Sequence, residues 1–249
     1  MPTLAQLCHA YQRRMPLIAF FCGPTAALLM GVPLPARLER DRTLHVAVPA
    51  TGSTVAGRGI AGHSITAADA DSTTWNGLRI GTAERTWFDL GAALTVPELV
   101  AASDFLIHWR HPLTSRHALA TAFARYSGRR GRRALRQALD LMNERAESPP
   151  ESRTRVIFTL AGIEGIAVNF PITTSGGFRY RADLAIPAHM VLLEYQGDYH
   201  RTPEQFRADM TRLSRLEADG WYVFQINADD LKNPEELVAR LHRVLAARP

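Results

Sequence analysis

The segment 147–249 constrains this chain most, because its apolar spacing changes period in a fixed order. "ESRTRVIFTLAGI" repeats at helical steps. "IAVNFPIT" (166–173), "FRYRADLAIP" (178–187) and "HMVLLEYQ" (189–196) read as strands, with Ser175, Gly176 and Gly177 as the first turn. "TPEQFRADMTRLSRLEADG" is a long helix closed by Gly220, "WYVFQI" is a fourth strand, and "NPEELVARLHRVLAA" is a final helix. The order is αβββαβα, which predicts an α/β (α+β) fold for this part.

The front half reads differently. Leu4, Leu7, Cys8 and Tyr11 mark a first helix, "PLIAFF" a buried strand and "PTAALLMG" a short helix. "LHVAVP" (44–49), "STVAGRGIAGHSIT" (53–66) and "GLRIGT" (77–82) read as strands or hairpin arms, with glycines at the bends. From Ala83 four stretches carry apolar residues at helical spacing. A small mixed sheet followed by a helical array is expected for residues 1–146, with the boundary in "ESPPES".

Charge follows the same division. Residues 1–146 hold 17 arginines against 10 acidic residues, and residues 147–249 hold 11 arginines and one lysine against 14. A basic front of this kind predicts contact with phosphate. Arg129, Arg130, Arg132 and Arg133, flanked by Arg125 and Arg136, crowd the helix–helix turn "SGRRGRR", where like charge is costly without an anionic partner. An apolar content of 46% supports a packed core. Two cysteines, Cys8 and Cys22, make no disulfide framework and fit a cytoplasmic protein. The apolar run after Arg13-Arg14 is broken by Pro16, Gly23-Pro24 and Gly31, well short of a membrane span of roughly 20 residues.

The chemistry gathers in "LLEYQGDYHR". A strand that begins dry suddenly carries Glu194 and Gln196, then Asp198 and His200. Strand alternation puts Glu194 with Leu192 and Gln196 on one face, and Asp183 with Arg181 and Ala185 on one face of the preceding strand. If the two strands form a hairpin, Asp183 and Glu194 project together. Two carboxylates in a partly dry place repel unless a cation sits between them. Magnesium, or manganese in its place, needs only one or two carboxylates plus a substrate phosphate. Gln196 is an amide that can orient a water but cannot act as a strong base. Asp183 is equally read as a structural ion pair with Arg179 or Arg181, and His200 equally as a surface histidine. Glu151 is accounted for by a capping box with Ser148, and the same helix start could aim a third carboxylate at the metal.

These residues, in this order, resemble the PD-(D/E)XK nuclease superfamily over about residues 147–231, and within it the small very-short-patch-repair-like endonuclease domains. The resemblance implies a restriction-endonuclease-like αβββαβ core. It implies that Asp183 and Glu194 bind Mg²⁺ or Mn²⁺, and that Gln196, Glu151 and His200 complete the catalytic set. Gln196 stands where the archetype has lysine. In the front half, "GPTAALLMGVPLP", "LHVAVP" and "GLRIGTAERTWFDLGAAL" are similar to AbiEi-like antitoxins of type IV toxin–antitoxin systems. Together they imply a metal-dependent endonuclease acting on DNA, held by Arg129, Arg130, Arg132, Arg133 and Arg181. They also leave open a non-catalytic nucleic-acid-binding regulator with a cognate toxin or other protein partner. No membrane association is expected.

Overall fold

The computed structural model describes residues 1–49, 54–197 and 202–248. It is a mixed α/β protein with ten helices and two mixed sheets among those residues. The chain divides into Met1–Glu144 and Arg145–Pro249, against the expected break after residue 146. No helix of the described residues is long and apolar enough to cross a membrane.

The first unit contains helix α1 (Leu4–Gln12) and a five-stranded sheet of β1 (Phe20–Phe21), β2 (Leu44–Pro49), β3 (Ile60–Ile65), β4 (Ser72–Trp75) and β5 (Leu78–Gly81), in the order β3-β2-β1-β5-β4. Between β1 and β2 lie α2 (Gly23–Leu29) and a single turn, α3 (Ala36–Glu39). The helical array is α4 (Ala83–Leu90), α5 (Val96–Leu106), α6 (Arg116–Arg125) and α7 (Arg132–Leu141). Two expectations need correction. "PLIAFF" is strand only at its last two residues, because a turn from Pro16 to Ala19 leaves Leu17 and Ile18 exposed. In 53–66 the ladder begins at Ile60, after a turn with Gly59 at φ +74°. The short α3 and β4 went unforeseen: α3 is a single turn with no buried residue, and β4, "STTW", is mostly exposed, so neither carries the apolar signal that marks β5.

Trp87 is fully buried and its indole donates to Ser103 Oγ at 2.8 Å, which locks α4 to α5. Before α7, Gly131 has φ +72°, and a Cβ there would lie 2.1 Å from the Gly91 backbone. Only glycine fits that crossing.

The second unit runs α8 (Pro149–Leu160), β6 (Ala167–Thr173), β7 (Arg179–Ile186), β8 (Val191–Tyr195), α9 (Pro203–Ala218), β9 (Tyr222–Ile226) and α10 (Pro234–Ala246). The sheet order is β6-β7-β8-β9; the first three strands are antiparallel and β9 is parallel to β8. On one face Leu184, Val191, Leu193 and Phe224 pack with Phe158 of α8 and with Leu237 and Leu241 of α10. On the other, Ala185 and Leu192 pack with Leu216 of α9. The parallel β8–β9 pair exists because α9 carries the chain back across the sheet. A capping box of Thr202 with Gln205 starts that helix, and Gly220 at φ +88° follows its end.

Candidate functional site

The β7–β8 ladder pairs Ile186 with Val191, Ala185 with Leu192 and Leu184 with Leu193, so Asp183 and Glu194 are the next opposed residues. There the strands part, and β7 continues with β6 alone. Ala182 packs with the α9 layer, whereas Leu184 packs in the opposite layer. Regular alternation would put both on one side, so β7 turns over at Asp183. In register with it on β6 is Asn169, whose φ of +53° breaks the pleat. The fork opens a cleft of about 240 Å³ lined by Arg181, Asp183, Glu194, Gln196, Asp209 and Arg212, among others. A second cleft, about 390 Å³, lies between the start of α8, with Glu151, and Asp183.

Glu194 is 5% exposed and is clamped by Arg212 of α9: Nη1 reaches Oε2 at 3.0 Å, and Nη2 donates to Oε1. Burial raises the Glu194 pKa; the Arg212 hydrogen bonds and charge oppose the rise, and Asp183 adds to it. Asp183 accepts the backbone N–H of Tyr195, and burial raises its pKa against the pull of Arg212 and Arg181. Glu151 also rises, chiefly through burial, with a further push from Asp183. Its Oε1 accepts the Ser148 hydroxyl at 2.6 Å and its Oε2 the Glu147 N–H at 3.2 Å, so Ser148 caps α8 but Glu151 reaches the residue before the cap rather than closing the expected capping box, and its charge is felt at Asp183. The donors are hard oxygens of the kind a divalent cation takes, and burial, more than their mutual repulsion, disfavours their ionisation. Among the described residues no group of three or more His, Cys, Asp or Glu side chains is gathered as a metal cage, and Arg212 is the cation beside Glu194.

Of the remaining expected residues, Gln196 and Arg181 share the first cleft and the arginines of the 129–133 turn lie in the first unit. Gln196 lies half-buried in the cleft, its N–H bonded to the Ile226 carbonyl at 2.7 Å. Arg181 lines the cleft but forks onto Glu147 at 3.0 and 2.6 Å. His200 and Asp198 lie outside the described residues. In the first unit Arg129, Arg130 and Arg133 are exposed, with no side-chain hydrogen bond or ion pair among the described residues. Arg132 is occupied internally: it donates to the Tyr126 and Phe123 carbonyls, each at 2.9 Å, and stacks 4.3 Å from the Phe123 ring centre. Flanking Arg125 pairs with Asp71.

Sequence reading missed Arg212, Asp209 and Gln225, all of which line the cleft. The first two had a signal: Asp209, Arg212, Leu213 and Leu216 fall at helical spacing, so two charges sit on the face of α9 that meets the sheet. Gln225 is opposite Glu194 in the β8–β9 register, which no single strand reveals.

Two proteins from two strains of Mycobacterium tuberculosis, each named only as uncharacterized, are 32% identical to the chain over 159 residues, 63% of its length. The chain covers 58% of the length of these relatives. No family model matches, and no solved structure matches.

Proposed function

We propose that the second unit is a PD-(D/E)XK-type nuclease domain, of the very-short-patch-repair-like kind, that hydrolyses phosphodiester bonds in DNA with Mg²⁺ or Mn²⁺. The observation that carries this reading is the opposition of Asp183 and Glu194 at the point where β7 and β8 part, beside an open cleft. Those two carboxylates would hold the ion. A divalent cation there supplies charge neutralisation at the phosphate and a more acidic water. Gln196 orients the attacking water through its amide. Arg212 lines the same cleft, and with Glu194 holding the ion its guanidinium would be free to take a phosphate oxygen. Glu151 fixes the start of α8 and adds negative potential at Asp183. The basic first unit, AbiEi-like in its motifs, contacts nucleic acid through Arg129, Arg130 and Arg133, and the place of action is the cytoplasm.

A second reading rests on the Glu194–Arg212 clamp. A guanidinium that satisfies Glu194 without metal, together with an amide at Gln196, suits a nuclease fold retained for binding. In that case the protein is a nucleic-acid-binding or antitoxin-like regulator with a toxin or other protein partner. Incubation of the full chain with labelled single- and double-stranded DNA in Mg²⁺ and in Mn²⁺ separates the two. Cleavage that falls about 10²–10³-fold in Asp183→Asn, the scale of losing one charge-stabilising group, supports the nuclease. Intact DNA under every condition leaves the regulator.

A further inference from the structure

The first unit holds a second basic feature, away from the 129–133 turn. The last turn of α1, the approach to β2 and the turn before β3 converge on a groove of about 640 Å³. Arg13 and Arg14 directly follow α1, Arg42 lies on the approach to β2 and Arg58 in the turn before β3. The turn is fixed by the Gly57–Ile60 bridge and by the Leu44 N–H donating to the Gly59 carbonyl at 2.9 Å, so Arg58 is held beside Arg42. All four arginines are exposed. Arg42 donates once, to the Pro2 carbonyl at 3.2 Å; the other three make no side-chain hydrogen bond or ion pair among the described residues. Among the described residues no carboxylate lines the groove. Asp41, next to Arg42 in the chain, is turned to the Thr43 N–H at 2.9 Å. The walls include half-buried Tyr11, its ring 6.5 Å from that of Phe21, and half-buried Ile60.

We propose that this groove binds a single nucleic-acid strand, with its phosphates on Arg13, Arg14, Arg42 and Arg58 and a base against Tyr11 and Ile60. Four guanidiniums from three segments exceed what one free phosphate can use, and they match a run of phosphates along a backbone. Four uncompensated like charges in one concavity repel one another until a polyanion enters. The aromatic and aliphatic wall selects a single strand, because an unpaired base offers a flat face to stack and a duplex does not. Exposed Leu17 and Ile18 follow α1 and raise the rival of an anionic membrane, but they do not line the groove, and a flat bilayer cannot reach a concave floor. This site needs no metal and stands apart from the nuclease reading.

The test is fluorescence anisotropy of the full chain with a labelled oligothymidine of about 15 nucleotides, within the usual span of such sites, in EDTA and over a range of salt. Replacing Arg13, Arg14, Arg42 and Arg58 together by Ser touches exposed side chains and leaves the fold intact by circular dichroism. Binding weakens, and the salt slope falls by roughly 2–3, about 0.7 per phosphate released from a single strand. Tyr11→Leu keeps an apolar side chain in place; it weakens binding roughly fivefold or more with the slope unchanged, a result that a change of net charge does not produce. Unchanged affinity and slope in the fourfold variant overturn the proposal, even if metal-dependent cleavage by the second unit persists. Duplex affinity that falls as much as single-strand affinity in the fourfold variant also overturns it. So does loss of binding to anionic phospholipid vesicles with DNA binding retained.

Discussion

At the residue scale, the informative pair is Glu194 with Arg212. Glu194 is almost wholly enclosed, while the Arg212 side chain keeps 27% of its exposure. Removing the guanidinium leaves a buried carboxylate without its cation. Arg212→Met therefore destabilises the second unit by about 2–3 kcal/mol, somewhat less than the loss of a fully enclosed partner. Urea unfolding measures it, and Arg212→Met combined with Glu194→Gln recovers most of the loss, because no charge is then stranded. His45 gives a pH dependence in the first unit. Its Nδ1 is 3.0 Å from Nε2 of His63, and its pKa is lowered below 6.5 by burial first and by His63 second, against Asp41 and Asp89. As pH falls, the unfolded chain takes up this proton before the folded one does. The stabilisation is complete above 6.5 and is lost as pH drops through the depressed folded value. Thermal melts below 6.5 therefore show a decline for the first unit that is shallower in His45→Gln.

At the scale of elements, α9 carries most of the consequence. It packs Leu216 under Ala185 and Leu192, and one turn earlier it delivers Arg212. Leu216→Ala costs about 2–5 kcal/mol, as for other buried leucines. Thr202→Ala removes the cap and costs about 1 kcal/mol. Before α7, Gly131→Ala combines a left-handed backbone with a clash against Gly91, and costs at least about 1–3 kcal/mol by denaturant midpoint. Most of the second unit was legible in its sequence, because its helices and strands are long and their apolar periods distinct. That Asp183 and Glu194 come to one cleft was legible as well, since a carboxylate inside "MVLLEY" has few reasons to be there. The overturning of β7 at Asp183 was not, because it depends on the left-handed Asn169 of another strand. Nor was the internal use of Arg132, since a turn rich in arginine reads as uniformly exposed until Phe123 and Tyr126 are seen beneath it.

At the scale of the whole molecule, charge and chemistry are divided between two units with separate cores. The exposed members of the arginine turn should act on DNA binding alone. Arg129, Arg130 and Arg133 replaced by Ser lower the salt slope for duplex binding by roughly 2–3, about 0.9 per phosphate contact, with stability unchanged. Arg132→Ser does the opposite: it lowers stability and leaves the slope alone. The central claim is that Asp183 and Glu194 together take one divalent cation at the fork of β7 and β8. Calorimetric titration of Mn²⁺ into the full chain tests it most directly. One ion bound per wild-type chain, lost in both Asp183→Asn and Glu194→Gln and bound more tightly in Arg212→Met, is the expected result. Binding as tight in the two carboxylate variants as in the wild type would contradict it.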